Sequence, residues 1–262
     1  MLHPDPRNLD GAAVSPTQLR RFAVLAFTLI AASVLTSLSN ARAQDRYDGP
    51  VTELAVRSVT AEIDVFTQAR DAFVAALVEQ PGVSTDREFV AILDGTTFEP
   101  PSTPVFVGMT EYDSFADFAT ASEVLGPSDE ATSFFGTFSP LAFTALRPLD
   151  PSDRYALAAL ADTQGQVLEI AVRDLSTYAD FDPADYDARR LAFLAELTSK
   201  PGVVAEYQWM SVLDPNVVVG MTVYESADAF QALAGDADLL AAAMPFIERY
   251  PTVTAMIVVD AR

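Results

Sequence analysis

The sequence contains no cysteine and a single histidine, His3, which lies in an N-terminal segment that we expect to be removed. Without these residues a mature chain has no thiol nucleophile, no Ser-His-Asp triad and no histidine- or cysteine-based zinc, copper or haem site. The glycine-rich motifs G-x-G-x-x-G and G-x-x-x-x-G-K-[ST] are also missing. Any catalysis by the mature chain would therefore depend on carboxylate, tyrosine or arginine side chains, or on the reactivity of the substrate itself.

Basic residues are scarce. The chain has 16 Lys and Arg against 37 Asp and Glu, a formal net charge of −21, and Lys200 is its only lysine. Such a surface repels phosphate backbones and anionic lipid heads, so we expect no nucleic-acid partner and, after signal removal, no membrane partner. Half of the 262 residues are hydrophobic, which is enough for a substantial core in one or two domains.

Residues 1–43 are typical of a signal peptide. Arg20-Arg21 precede the uncharged apolar run Phe22–Leu38, and Ala41-Arg42-Ala43 is an A-x-A cleavage site. We therefore predict a mature chain from Gln44 in the periplasm or outside the cell. The apolar run is long for a signal, so an uncleaved anchor is the alternative. The sequence leaves Sec and twin-arginine export both open.

The rest of the chain contains the same sequence pattern twice. VFVGMTEYDSFADF starts at Val105 and VVVGMTVYESADAF at Val217, while AFVAALVEQPGV starts at Ala72 and AFLAELTSKPGV at Ala192. We predict a first repeat over residues 44–150 and a second over residues 151–262.

Each repeat is predicted to run strand, helix, strand, strand, helix, strand. The predicted first strands and first helices are Thr52–Val59, Val167–Arg173, Thr67–Gln80 and Ala184–Lys200. A βαββαβ unit forms a four-stranded antiparallel sheet with helices on one face, which leaves the other face to be covered. The predicted fold class is α+β, with two ferredoxin-like units that cover each other within one chain.

The element order, the P-G-V after each first helix and the V-G-M-T-x-Y-x-S-x-x-x-F passage resemble the antibiotic-biosynthesis-monooxygenase-like family of the dimeric α/β barrel superfamily. In that superfamily two ferredoxin-like units, usually from two subunits, form one barrel. The resemblance covers nearly all of the mature chain. It implies an intrachain pseudo-dimer that is monomeric. Two independent domains, each dimerising elsewhere, are the alternative.

Alternation along the two first strands predicts two faces. The apolar residues expected to face the helices are Leu54, Val56, Leu168, Ile170 and Val172. The charged residues expected to face the interior between the sheets are Glu53, Arg57, Glu169 and Arg173. They form a polar ligand pocket, or buried pairs in which each Glu neutralises the Arg four residues on, or a solvated edge of the sheet.

Aromatic residues add to the candidate site. Tyr207 and Trp209 occupy the positions that Arg87 and Phe89 take in the first repeat. Aromatic rings beside an arginine are suited to a flat organic ligand, whereas core packing is the alternative. Because the repeats differ here, we expect at most one working site, in the second repeat.

The resemblance also implies a reaction. Monooxygenases of this family often need no cofactor, because a phenol, hydroquinone or anthrone substrate, once deprotonated, reduces dioxygen itself. In this chain Glu169 would be the base, Arg173 would stabilise the anionic substrate, and Trp209 and Tyr207 would position it. A non-catalytic binding protein for a small hydrophobic or aromatic molecule, and a structural barrel filled with side chains, remain open.

The segment STYADFDPADYD, residues 176–187, concentrates aspartates. Its spacing does not match an EF-hand loop. Asp182-Pro183 is a favourable helix start, and acids in a first helical turn are favoured by the helix dipole. We therefore interpret the segment as a helix N-terminus and predict no metal site.

Overall fold

The computed structural model describes residue 47 and residues 49–261. The predicted signal peptide, residues 1–43, lies outside these residues. The described strands are β1 (Val51–Val59), β2 (Val83–Asp94), β3 (Val105–Tyr112), β4 (Phe138–Pro148), β5 (Val167–Asp174), β6 (Val203–Ser211), β7 (Val217–Tyr224) and β8 (Thr254–Asp260). The helices are α1 (Ile63–Val78), α2 (Phe115–Leu125), α3 (Asp129–Phe135), α4 (Pro183–Ser199), α5 (Ala227–Ala234) and α6 (Ala237–Ile247), with short 3₁₀ turns at Leu157–Ala159 and Leu175–Thr177.

Local sequence signals explain where the helices begin and end. The side chains of Ser114 and Ser226 accept hydrogen bonds from backbone N–H groups in the first turns of α2 and α5, so both are N-caps. Gly82 and Gly202 follow α1 and α4 with φ of 77° and 88°, a left-handed conformation that favours glycine.

All eight strands close into one antiparallel barrel, in the order β1-β3-β2-β8-β5-β7-β6-β4. The first half of the barrel, residues 51–148, has the order β4-β1-β3-β2, and the second half, residues 167–260, has the order β8-β5-β7-β6. Pairing of β2 with β8 and of β4 with β6 joins the halves. Both halves therefore line a single lumen.

Apolar side chains from every strand fill that lumen. They include Leu54, Val56, Leu168, Ile170 and Val172, all at most 5% exposed. The predicted orientation of the two first strands is therefore wrong, because these residues point into the barrel and their charged neighbours point toward the helices. A closed barrel gives charges no route to water, whereas the layer beneath the helices supplies polar partners.

The helices cover the outside of the barrel. Leu77 of α1 and Phe118 of α2 pack on β1 and β3 of the first half, and Leu197 of α4 and Phe230 of α5 pack on the second half. No single helix in the described part of the chain is long and apolar enough to cross a membrane. The pair α5 and α6, bent by 78° at its break, reaches that length and hydropathy only when both helices are counted together.

Candidate functional site

A buried polar layer lies between the sheet and the helices in the first half. The Tyr112 hydroxyl donates to Glu53 Oε2 at 3.1 Å. Burial raises the pKa of the Glu53 carboxyl from its ordinary value of 4.5 to about 7. Arg57 Nη2 donates to both carboxylate oxygens of Glu88, at 2.7 and 2.9 Å. Glu53 and Arg57 are thus each held by a partner from another strand, and not by each other.

The repeated G-M-T-x-Y motif builds this layer. A Cβ at Gly108 would lie 2.2 Å from Arg57 Nη2, so only glycine lets the guanidinium cross β3 to reach Glu88 on β2. Met109 is fully buried in the lumen. Thr110 Oγ1 donates to Asp86 at 2.8 Å. Successive residues of the motif therefore lie alternately on the polar-layer side and on the lumen side of the sheet.

The second half contains the equivalent carboxyl and tyrosine. The Tyr224 hydroxyl donates to Glu169 Oε2 at 2.6 Å, and burial raises the pKa of Glu169. Thr222 and Gly220 pair in register with Glu169 and Ala171, as Thr110 and Gly108 pair with Glu53 and Ala55 in the first half. A raised pKa makes the ionised carboxylate a stronger base, which suits it to proton transfer.

Arg173 has different surroundings from Arg57. Its Nε donates to the backbone oxygen of Tyr250 at 2.9 Å, and its guanidinium lies 4.6 Å from the ring centre of Phe246. Arg173 is only 7% exposed, and burial lowers its pKa. Within residues 49–261 no carboxylate forms an ion pair with it.

Aromatic side chains gather around this guanidinium. Tyr186, Phe246 and Tyr250 are buried together, and the partly buried Tyr178 and Phe181 pack against them. Cation–π contacts stabilise a guanidinium but do not neutralise it. The result is a buried positive charge in an apolar, ring-lined setting between β5 and the helices α4 and α6.

A single side-chain difference accounts for the missing carboxylate. Glu88 pairs in register with Gly108 on β3, and the residue that pairs in the same way with Gly220 on β7 is Gln208. The Gln208 amide nitrogen donates to Glu206, and its oxygen accepts from Arg190 Nη1 at 3.4 Å. Burial raises the pKa of Glu206 to about 7.

The segment from residue 174 to residue 182 covers the aromatic cluster. The Tyr178 hydroxyl donates to the Pro251 oxygen at 2.5 Å, and Arg249 Nη2 donates to the Ala179 and Asp180 oxygens at 3.2 and 3.0 Å. Beside it, α4 and α6 border an open surface hollow of about 570 Å³ whose lining includes Arg189, Pro245 and Arg249.

The acidic segment, residues 176–187, leads into α4 and includes its N-cap and first turn. Asp182 accepts from the Ala184 N–H at 2.9 Å, and Asp185 and Asp187 pair with Arg189 and Arg190. The helix-start interpretation is confirmed. No group of three or more His, Cys, Asp or Glu side chains is placed to hold a metal ion in the region that the structure describes.

The predicted site residues fall into two groups on opposite faces of the sheet. Glu53, Arg57, Glu169 and Arg173 belong to the polar layers, whereas Phe89 and Trp209 are buried in the lumen with Tyr207 beside them. Arg87 closes one end of the lumen, where it donates to the Ala161 oxygen at 3.1 Å and to Asp260 at 2.5 Å. The aromatic residues Tyr207 and Trp209 therefore cannot position a substrate held by Arg173.

Sequence reasoning missed the partners of the charged residues. Tyr112 and Tyr224 stand in the repeated motif, and Glu88 aligns with Gln208 when the two first helices are aligned. The alignment shows that the halves differ by Glu against Gln at this position. Only the strand register shows that positions 88 and 208 lie beside the arginines.

Comparison with known proteins identifies the fold. No protein-family model matches the chain, and no curated protein matches it. Among solved structures, an anthrone oxidase-like protein is 11% identical with a TM-score of 0.50, covering 81% of this chain and 92% of its own. A protein named as a candidate chlorite dismutase is 9% identical with a TM-score of 0.51, covering 81% and 95%.

A protein named as a candidate monooxygenase, from Lactobacillus acidophilus NCFM, is 10% identical with a TM-score of 0.45 and covers 81% of this chain and 94% of its own. At identities this low, similarity shows the fold and no activity. The chain has a mixed α+β fold with a closed antiparallel barrel of eight strands, and the anthrone oxidase-like protein and the candidate chlorite dismutase are similar to it in fold.

Proposed function

We propose that this chain binds a small aromatic anion in its second half, between β5 and the helices α4 and α6, and oxidises it without a cofactor. The observation that carries the proposal is the buried Arg173 guanidinium, which is ringed by aromatic side chains and has no carboxylate partner among the described residues. A buried charge without a partner is costly, and a bound anion would offset that cost. In the first half Glu88 already fills the same role for Arg57.

The side chains around Arg173 suit deprotonation of a phenol-like substrate. Glu169 takes the proton, and Tyr224 holds its carboxylate by the 2.6 Å hydrogen bond. Arg173, four residues away on the same strand face, stabilises the negative charge on the substrate oxygen. The substrate anion then reduces dioxygen, so that an anthrone and O₂ give an anthraquinone and water. The anthrone oxidase-like protein that shares the fold makes anthrone the first substrate to test.

Oxygen consumption tests this reaction. With anthrone, the wild-type chain is expected to consume O₂, and Glu169→Gln to lose at least about 100-fold of the rate, as expected for loss of a general base. Glu53→Gln, the matched change in the first half, is expected to keep the wild-type rate. Equal losses in both variants, or an unchanged rate in Glu169→Gln, would remove Glu169 from the proposed role.

Binding of an aromatic anion without oxygen consumption would indicate a binding protein and not an oxidase. If 2-naphthoate binds in an Arg173-dependent manner while neither anthrone nor a hydroquinone consumes O₂, the chain is a binding protein for aromatic anions. Arg173→Met is expected to weaken 2-naphthoate binding, and Arg57→Met is the matched control. Absence of Arg173-dependent binding would contradict both forms of the proposal.

The barrel is proposed to be a fused tandem repeat, with residues 44–150 and 151–262 as its two ferredoxin-like units. The matching strand orders of the two halves support this, as does the repeated register around Gly108 and Gly220. Because both seams of the barrel form within one chain, the protein is proposed to be a monomer. Light scattering on the purified mature chain is expected to give a monomer mass, and an obligate dimer would contradict it.

Export to the periplasm or beyond is proposed from the N-terminal sequence, in which the A-x-A site Ala41–Ala43 follows the apolar run Phe22–Leu38. Cell fractionation followed by N-terminal sequencing is expected to find a chain that begins at Gln44 outside the cytoplasm. A chain retained in the membrane with its first residues intact would favour the anchor.

A further inference from the structure

Trp209 lies in the lumen wall with a hydrogen-bond donor that is not used. Its side chain is part of the buried core and the residue is 4% exposed. Its indole Nε1 is buried and has no hydrogen-bond partner within residues 49–261. A buried N–H without an acceptor is unfavourable, and buried tryptophans usually have a partner. This N–H marks a place where an acceptor oxygen would be stabilised.

Two tyrosine rings stand beside this indole. Tyr155 packs edge-on against Trp209 with ring centres 4.8 Å apart and against Tyr207 at 5.0 Å. All three side chains lie on the lumen side of the sheet, in contact with the apolar core. The polar layer that holds Arg173 is on the other side, so this group of rings is separate from the site proposed above.

Tyr155 belongs to a short flap, residues 150–156, whose hydrogen bonds are mostly internal. Asp150 accepts from the Ser152 N–H and hydroxyl, both at 2.8 Å, and Arg154 donates to the Pro151 oxygen at 2.7 Å. The Tyr155 hydroxyl donates to Asp153 at 2.8 Å, and its oxygen faces the backbone N–H of Gln208 as an acceptor. Ring packing, together with the polar contact to Gln208, therefore holds the flap against the barrel.

The chain on either side of the flap is anchored. Before it, the Leu149 N–H donates to the Gln208 oxygen at 2.8 Å. After it, Arg87 donates to the Leu157, Leu160 and Ala161 oxygens, and the Leu157 N–H donates to Glu111 at 2.7 Å. A flap between two fixed ends can lift its one ring without unfolding the barrel.

We propose that Tyr155 is a removable cover over a second binding site, at this end of the lumen, for a flat neutral molecule that carries one hydrogen-bond acceptor. The molecule takes the place of the Tyr155 ring against Tyr207 and Trp209, and its acceptor oxygen receives the Trp209 N–H. The site is apolar around that single donor, which favours an aryl ketone or quinone over an anion.

Trp209 is the only tryptophan in the chain, so a ¹⁵N-labelled sample gives one indole N–H resonance that reports on this site. Two neutral probes of matched shape are 2-acetylnaphthalene, which has an acceptor oxygen, and 2-ethylnaphthalene, which has none. As 2-acetylnaphthalene is added, the chemical shift of the indole proton is expected to move downfield and to reach a plateau. With 2-ethylnaphthalene no downfield shift of this kind is expected, because that probe has no acceptor. A resonance that neither probe shifts saturably would overturn the proposal.

Variants test the cover and the donor separately. Tyr155→Ala is expected to bind 2-acetylnaphthalene at least about threefold more tightly, since no ring must be displaced, and unchanged or weaker binding overturns the role of Tyr155. Trp209→Phe is expected to lose about tenfold for 2-acetylnaphthalene and little for 2-ethylnaphthalene, as for one lost hydrogen bond. Equal losses for both probes overturn the role of the N–H. Arg173→Met is expected to leave both affinities unchanged, which separates this site from the anion site.

Discussion

The two halves of the barrel place the same types of residue at the same positions of the sheet, and they differ in how they treat one buried arginine. In the first half, Arg57 crosses Gly108 to form an ion pair with Glu88. In the second half the matching position is Gln208, and Arg173 turns to a backbone oxygen and a ring. The comparison teaches that exchange of one carboxylate for an amide accompanies the change from a buried charge neutralised by an ion pair to one held by a backbone oxygen and a ring.

Replacement of the two arginines is expected to have the largest and most unequal effect. Arg57→Met leaves Glu88 buried without its cation and is expected to lower the free energy of unfolding by about 3–5 kcal/mol. Arg173→Met strands no ion-pair partner and is expected to cost less than about 2 kcal/mol. Urea unfolding of both variants measures the difference. Equal losses of unfolding free energy would contradict the difference between the halves. The double variant Arg57→Met, Glu88→Met is expected to recover part of the stability lost in Arg57→Met.

The buried carboxyls are expected to make stability depend on pH. The pKa of Glu53 is about 7 in the folded protein, against an ordinary value of 4.5. The folded state therefore holds this proton more tightly, and the stabilisation, fully present below pH 4.5, is lost as the pH rises through 7.

In the wild type, the free energy of unfolding is expected to fall as the pH rises from 5 to 8. In Glu53→Gln this fall is expected to be smaller by about 2–3 kcal/mol, because each unit of pKa difference corresponds to about 1.4 kcal/mol. Glu206→Gln, in the second half, is expected to change the slope in the same direction, since the pKa of Glu206 is also about 7. Denaturant unfolding at several pH values measures both slopes. A slope that neither variant changes contradicts the assignment.

The two motif glycines are expected to respond differently to alanine. At Gly108 a Cβ would lie 2.2 Å from Arg57 Nη2, whereas at Gly220 the nearest atom is Gln208 Nε2 at 3.1 Å. Gly108→Ala is therefore expected to cost about 2 kcal/mol through overpacking, and Gly220→Ala less than about 1 kcal/mol. Thermal unfolding of the pair gives the ranking, and the reverse order would contradict the arrangement around Arg57.

The helix caps are expected to give the smallest effects and no difference between halves. Ser114 accepts from the Asp117 N–H at 3.2 Å, and Ser226 accepts from the Ala229 N–H at 3.1 Å. Alanine at either position is expected to cost about 1 kcal/mol. Unequal losses beyond about 1 kcal/mol, measured by urea unfolding, would show that the two helices are supported differently.

Features that depend on neighbouring residues could be predicted from the sequence. The strand order, the first helix of each repeat, the N-caps Ser114 and Ser226 and the helix start at Asp182 all follow from periodicity and capping within a few residues. The single second helix predicted for each repeat is wrong, because two helices occupy that place in each half. The orientation of β1 and β5 could not be predicted in this way. Alternation shows which residues share a face, but both faces are buried in a barrel covered by helices, so it does not show which face is the lumen.

The candidate site depended on contacts between distant strands. Glu169 and Arg173 could be identified as one strand face from their spacing, and they do share it. Their partners could not be identified, because Tyr224 and Tyr250 lie 55 and 77 residues further along the chain. Trp209 and Tyr207 were grouped with Arg173 from sequence, and the register places them on the other side of the sheet.

Exchange of the two side chains that distinguish the halves tests the central claim most directly. Calorimetric titration of 2-naphthoate is made on the wild-type chain, on Gln208→Glu and on Glu88→Gln. The account predicts binding to the wild type that Gln208→Glu weakens at least about tenfold, because an internal carboxylate then neutralises Arg173, while Glu88→Gln leaves the second-half site intact. Wild-type affinity in Gln208→Glu would contradict the claim that Arg173 is kept for an anionic ligand.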